Sequence, residues 1–130
     1  MPAAADKFSI RSTVKGKPPR LPFRRIKDEI LGPDYELSVV FAGDAATRRL
    51  NRTYRAKDKP ANVLSFPLSK TSGEIFLNLA RATKEAPDFG DSPRSFIGFL
   101  FIHGLLHLKG LDHGRTMERQ EREWRKRFDI

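Results

Sequence analysis

The sequence predicts one domain built from both strands and helices, and three observations carry that expectation. The chain has 130 residues, enough for one hydrophobic core and too few for two. Four short segments read as strands, by two-residue alternation or a compact apolar run, and segments of helical period lie between them. A longer apolar segment, Pro93 to about Lys109, reads as a buried helix and contains histidines at helical spacing. Apolar residues make up 38% of the chain and ten are Phe, which supports a packed interior although 32% are charged.

In chain order, Phe8 and Ile10 alternate with Ser9 and Arg11, which predicts a short strand. From Lys7 to Lys27 there are eight basic residues and no acid, with Pro18-Pro19 marking a loop. Leu21 to Leu31 has Phe23, Ile26 and Ile30 on one helical face and is stopped by Gly32-Pro33. Arg24 and Arg25 fall off that face. They are either simply solvated or placed to hold phosphates.

Tyr35, Leu37, Val39 and Phe41 alternate with Glu36 and Ser38 and predict a strand ending at Gly43-Asp44. Asp44 is a suitable N-cap for a helix from Ala45 to about Tyr54. Ala46, Leu50 and Tyr54 would face the core, with Arg48 and Arg52 pointing away. Arg55 to Pro60 reads as a basic loop, which lets Arg55 aim elsewhere. Asn62 to Phe66 is an apolar strand closed by Pro67. Leu68 to Gly73 is turn-forming, and Glu74 to Leu79 is its hairpin partner.

Arg81 to Ala86 suggests one or two helical turns, followed by a polar loop from Pro87 to Asp91. Ser92 as cap and Pro93 in the first turn start the long apolar helix. Gly98 and Gly104 inside it cost about 1 kcal/mol each relative to alanine, which predicts a close neighbour at each. Arg115 to Phe128 is a charged terminal helix with Met117, Trp124 and Phe128 at helical spacing. It offers Glu118–Arg122 and Glu121–Arg125 pairs on its surface.

Charge and composition narrow the function. A net charge of +9 and a pI near 10.3 point to a polyanionic partner, nucleic acid ahead of a membrane surface. With no cysteine, disulfide partners and thiolate metal sites are excluded. Met1 to Lys7 has no apolar core of signal-peptide length, and Phe96 to Leu108 is too short to span a bilayer. A cytoplasmic location without membrane association is the expectation.

All three histidines lie in His103-Gly-Leu-Leu-His107-Leu-Lys-Gly110-Leu-Asp-His113. Residues four apart stack one turn up a helix face, so His103 and His107 can aim at one point. Gly110 suits a left-handed residue that ends the helix and turns His113 back to the same point. Three imidazoles so arranged make a divalent metal site, predicted as one zinc ion per chain, with a fourth position open as in catalytic sites unless a carboxylate such as Asp112 closes it. Zinc in such a site lowers the pKa of bound water to about 7. Asp112, beside a ligand, either orients an imidazole through a hydrogen bond or is an ordinary turn residue. The spacing is that of the long zinc-hydrolase motif His-Glu-x-x-His-x-x-Gly-x-x-His, except that Gly104 replaces the glutamate base.

The stretch His103 to His113 resembles the signature His-Gly-x-Leu-His-Leu-x-Gly-Tyr-Asp-His of the YbeY endoribonucleases, bacterial factors of ribosomal RNA maturation, with Leu111 in place of tyrosine. Leu50-Asn51-Arg52-Thr53-Tyr54-Arg55 is similar to the family's Leu-Asn-x-x-Tyr-Arg. Ala61-Asn62-Val63-Leu64-Ser65-Phe66-Pro67 is similar to its Thr-Asp-Val-Leu-Ser-Phe-Pro, and Gly73-Glu74-Ile75 to its Gly-Asp-Ile. Ala61-Asn62 departs from Thr-Asp, and the stretch from Leu79 to Ser92 is shorter than usual.

The resemblance implies a zincin-like α+β fold, a small mixed sheet of about four strands packed on a central metal-binding helix with flanking helices. It implies single-strand-specific RNA hydrolysis in rRNA processing and ribosome quality control, with rRNA and the ribosome or its proteins as partners. The family's functional arginine falls on Arg55.

Zinc and a guanidinium can stabilise charge developing on phosphoryl oxygens without a carboxylate base. Lys57, Lys59 and the Lys7–Lys27 stretch would gather an RNA backbone electrostatically. Two other readings compete. One is a non-catalytic ribosome-assembly factor with a structural zinc. The other is a zinc peptidase drawing its base from Asp112 or Glu74, against which Gly104 and the basic surface count.

Overall fold

A computed structural model describes residues 6–130, so most of the stretch from Met1 to Lys7 lies outside the described residues. The elements in order are β1 (Phe8–Ser12), α1 (Phe23–Leu31), β2 (Glu36–Phe41), α2 (Asp44–Arg55), β3 (Val63–Ser69), β4 (Ser72–Leu77), α3 (Leu79–Glu85), a 3-10 turn (Ala86–Phe89), α4 (Pro93–Leu108) and α5 (Arg115–Phe128). The strands form one mixed sheet in the order β1-β2-β4-β3. β1, β2 and β4 run parallel, and β3 runs antiparallel at the edge beside β4.

This is the α+β, zincin-like arrangement expected, with α4 in the middle of the helices. Its buried residues include Phe96, Ile97, Leu100, Phe101, Ile102, Leu105 and Leu106, distributed around the helix. Such a helix must be covered on most sides, and its half-buried face carries Phe99, His103 and His107. The β3–β4 hairpin, α1, α3 and α5 supply the cover. On α1, Phe23 meets Phe101 edge-on at 5.1 Å and Phe41 of β2 at 5.9 Å.

The two glycines of α4 report those close approaches. A Cβ at Gly104 would stand 2.8 Å from Ser65 Oγ and 3.2 Å from Ile75 Cδ1, so β3 and β4 press directly on the helix there. At Gly98 the neighbour is the side chain of Ile130. Ser65 and Ile75 pair in register, and both face α4. Their neighbours Phe66 and Glu74, also paired, therefore face the opposite side of the sheet, where Tyr54 of α2 packs on Phe66.

Several local expectations are corrected. Asp44 is not the N-cap of α2. Gly43 occupies that position, and the Asp44 carboxylate instead accepts from Asn78 Nδ2 (2.7 Å) and Arg81 Nε (2.9 Å), tying α2 to the start of α3. α2 runs through Arg55, and the polar Thr47 and Asn51 are its buried residues, while Tyr54 is 67% exposed. β3 continues past Pro67 to Ser69, which an edge strand tolerates because its outer N–H groups need no partner. β4 begins at Ser72, two residues before the predicted start. The loop predicted from Pro87 is largely the 3-10 turn.

The ion pairs predicted on α5 do not form. Arg125 reaches Asp91 (2.9 Å) and Glu121 turns inward, leaving Arg119–Glu123 as the i,i+4 pair among the described residues of that helix. Among the described residues, no helix is long and apolar enough to cross a membrane.

Candidate metal centre

α4 ends in a Schellman turn, which sets the geometry of the histidines. The N–H of Leu111 donates to Leu106 O (3.0 Å) and that of Gly110 to His107 O (3.0 Å). This pattern requires a left-handed residue after the cap, and Gly110 has φ +105°. The turn reverses the chain and brings His113 back over the last turn of α4. The ligand nitrogens of His103, His107 and His113 then all lie within 4.8 Å of one another.

His103 Nε2 and His107 Nε2 are 3.1 Å apart. Two tetrahedral zinc ligands at about 2.05 Å from the ion would stand about 3.3 Å apart, so the pair is already at nearly ligand spacing. Both outer nitrogens are occupied, which leaves the inner ones to converge. His103 Nδ1 lies 2.9 Å from Glu121 Oε2, and His107 Nδ1 lies 3.0 Å from Leu111 O. An acceptor on Nδ1 fixes the tautomer with a lone pair on Nε2, the form that binds metal. Burial pushes the His107 pKa down, helped by the neighbouring His103 and His113 and by Arg55, against the Leu111 carbonyl that raises it. A neutral imidazole is the state a metal needs.

The donor set fits a divalent ion of borderline softness: three imidazoles and no thiolate. Asp112 makes no hydrogen bond to any of the three rings among the described residues and is exposed. The carboxylate at the His103 ring is Glu121, whose spacing predicts a pair with Arg125 instead. A signal for it existed: Glu121 lies on the Met117–Trp124–Phe128 stripe of α5, and an acid on a buried stripe demands a partner.

Arg55 is the last residue of α2, next to Ala56 in the left-handed conformation (φ +53°). Its Nη2 donates to Ser65 O (3.3 Å) on the open edge of β3, and its guanidinium carbon stands 5.9 Å from the centre of the Phe66 ring. The following loop is tied down by the polar face of α2. Ala61 N–H donates to Thr47 Oγ1 (3.2 Å), Asn51 Nδ2 to Lys59 O (2.9 Å) and Arg48 Nε to Asp58 (2.8 Å). Lys57 and Lys59 thereby line, with Arg55 and Arg81, a polar cleft of about 380 Å³.

Arg24 and Arg25 are not part of this region. They border a larger apolar cavity of about 570 Å³ between β1 and α1, which contains no histidine. Arg24 is held by Asp6 (2.7 Å), whose carboxyl it keeps at a pKa of about 2, and Arg25 by Glu29 (3.0 Å). Both guanidiniums are exposed and each is paired with a carboxylate.

Asn62, where the related motif has Asp, donates to Glu85 Oε1 (2.9 Å), so a carboxylate is present near that position from α3. Glu74 faces away from α4, and Gly104 faces the sheet. Neither supplies a base to the histidines.

Comparison with known proteins follows the same lines. Residues 22–128 match the family model described as endoribonuclease YbeY. A protein of Geobacter metallireducens named endoribonuclease YbeY is 39% identical over 117 residues, covering 80% of this chain and 77% of the relative. One of the same name from Geobacter sulfurreducens is 38% identical over 112 residues, covering 76% and 75%. A solution structure of a Thermotoga maritima protein superimposes with a TM-score of 0.64 at 26% identity, covering 89% of this chain and 86% of that one.

Proposed function

The chain belongs to the endoribonuclease YbeY family, and from that premise we propose that it is a zinc-dependent, single-strand-specific endoribonuclease of rRNA maturation and ribosome quality control in the cytoplasm. The observation that carries this reading is the convergence of three imidazoles, two already oriented through Nδ1, beside an arginine on the open edge of β3. His103, His107 and His113 would hold the ion. A zinc ion held there would supply Lewis acidity toward a phosphoryl oxygen and activation of water.

The protein's own residues do the rest. Glu121 and the Leu111 carbonyl hold two rings in the binding tautomer. Arg55 presents N–H donors to phosphoryl oxygens as charge develops on them, a stabilisation that needs no proton transfer. Lys57 and Lys59 draw the backbone into the adjoining cleft.

A peptidase is disfavoured by a specific contact. A side chain at position 104 would run into Ser65 and Ile75, so the usual glutamate has no room, and neither Asp112 nor Glu74 stands at the rings. A ribosome-assembly role without catalysis is the other alternative, and the test separates it. Elemental analysis of the purified protein should find one zinc per chain. A defined single-stranded RNA should be cut, the cutting should stop with chelator, and His107→Ala should lose both metal and cleavage. Full cleavage by metal-free His107→Ala overturns the proposal, and zinc without cleavage at any enzyme concentration selects the assembly role.

A further inference from the structure

On the sheet face turned away from α4, beside Arg55, lies a cleft of about 300 Å³ whose walls include Tyr54, Phe66, Leu68, Glu74 and Phe76. Its composition is unusual for a solvated surface. Tyr54 is 67% exposed and Leu68 66% exposed. The Tyr54 and Phe66 rings stand 5.4 Å apart at 60°, and Phe66 and Phe76 stand 5.8 Å apart at 76°. This aromatic array continues to the outside instead of being covered by another element. An exposed aromatic and apolar patch on a chain of net charge +9 calls for a ligand with a flat apolar face.

Two charged groups define that ligand further. The Arg55 guanidinium carbon lies 5.9 Å from the Phe66 ring centre and its Nη2 donates to the Ser65 carbonyl, so a cation borders the aromatic surface. Glu74, directly opposite Phe66 in the β3–β4 register, is half-buried and makes no hydrogen bond or ion pair among the described residues. An unpaired carboxylate beside a site for polyanions repels phosphate. It becomes favourable when it accepts from a base amine, as acidic side chains do from cytosine N4.

Resting on the endoribonuclease reading, we propose that Tyr54, Phe66 and Glu74 form a subsite for one unpaired, amino-bearing nucleobase of the RNA strand whose phosphate Arg55 holds. The rings supply the stacking surface, as in other proteins that bind single strands. Glu74 accepts from the exocyclic amine of cytosine or adenine, or from the N1–H and N2 amine of guanine. Uracil is disfavoured, since its one imide N–H is flanked by carbonyl oxygens that the carboxylate repels. An apolar side chain of a protein partner would satisfy the rings and leave Arg55 and Glu74 unmatched, whereas a nucleotide matches all three. The strand would then wrap the open edge of β3, with its base on the α2 side and its phosphate near the histidines.

The test uses the zinc-loaded, full-length protein and fluorescently labelled 2′-O-methyl oligocytidylate and oligouridylate, read by anisotropy. Tyr54→Ala, at an exposed position, should keep its thermal unfolding midpoint and weaken oligocytidylate binding by about tenfold or more. Tyr54→Phe should bind like the unaltered protein, because the hydroxyl takes no part in stacking. Glu74→Gln should narrow the preference for oligocytidylate over oligouridylate. The subsite is overturned when Tyr54→Ala binds oligocytidylate undiminished, or when the unaltered protein does not distinguish the two strands. If single-stranded RNA is still cleaved in either case, the endoribonuclease reading survives alone. Failure of the unaltered protein to bind or cut any single strand removes both.

Discussion

Along α4 the buried residues are aromatic and aliphatic, from Phe96 to Leu106, whereas along α2 they are Thr47 and Asn51. Each helix brings functional side chains to the edge of the sheet, by different physics. α4 is fixed by close packing, with Gly104 drawn against Ser65 and Ile75, and the Schellman turn that completes the histidine cluster is continuous with it. α2 holds its loop by hydrogen bonds from Thr47, Asn51 and Arg48, and leaves Tyr54 and Arg55 exposed. A cradle for a metal needs three nitrogens held within tenths of an ångström, which a packed helix provides. A surface for a flexible strand needs charge and rings at the right edge, which a hydrogen-bonded loop provides without burying them. Substitutions in α4 should therefore alter metal binding or stability, and those in α2 should alter the handling of RNA.

The sharpest test of that division is Arg55→Ala, which should lower kcat/KM by about 10²–10³-fold while zinc content and thermal unfolding stay unchanged. A fall in zinc content instead would place Arg55 in the cradle and erase the distinction. Next in size, Glu121→Ala should weaken zinc binding about 10–100-fold, measured by competition with a chromophoric chelator. Glu121→Gln, which still offers an oxygen to His103 Nδ1, should recover part of that loss. Wild-type affinity in Glu121→Ala would show that packing alone orients the ring.

Gly104→Ala should destabilise the protein by about 1–3 kcal/mol in denaturant unfolding, since the added methyl meets backbone-anchored side chains of β3 and β4. No loss would mean that the helix and sheet separate easily, contrary to the contrast drawn. The smallest effect expected is on pH dependence. The folded pKa of His107 is lowered, so the unfolded chain binds the proton more readily and stability rises with pH through this range. For the metal-free protein, this contribution is complete above the ordinary histidine value of about 6.5 and is lost as pH falls toward the lower folded value. His107→Gln should flatten that acid-side slope. An unchanged slope would assign it to other groups.

Much of this was readable from residues four apart or two apart. The strand alternation from Tyr35 to Phe41, the Ser92-Pro93 helix start and the His103–His107–Gly110–His113 spacing each depend on neighbours in the chain, and each appears in the fold as expected. Misreadings occurred where a side chain chose a partner far away in sequence. Asp44 joined Asn78 and Arg81 instead of capping its own helix, and Arg125 joined Asp91 instead of Glu121. Tyr54 has the spacing of a core residue, but α2 turns its Thr47–Asn51 face inward because the loop backbone from Lys59 to Ala61 needs hydrogen-bond partners there.

The sequence by itself determined the cluster of three histidines that could hold a metal, the helix that carries two of them and the glycine that returns the third. Those depend on helical pitch and on one left-handed residue, both local properties of the chain. Only the tertiary structure decided that Glu121 and not Asp112 meets His103, that Arg55 reaches the Ser65 carbonyl of β3 while Arg24 and Arg25 pair with Asp6 and Glu29, and that position 104 faces a strand. These depend on which segments distant in sequence come within hydrogen-bond or van der Waals distance, and that is set by packing the whole core at once.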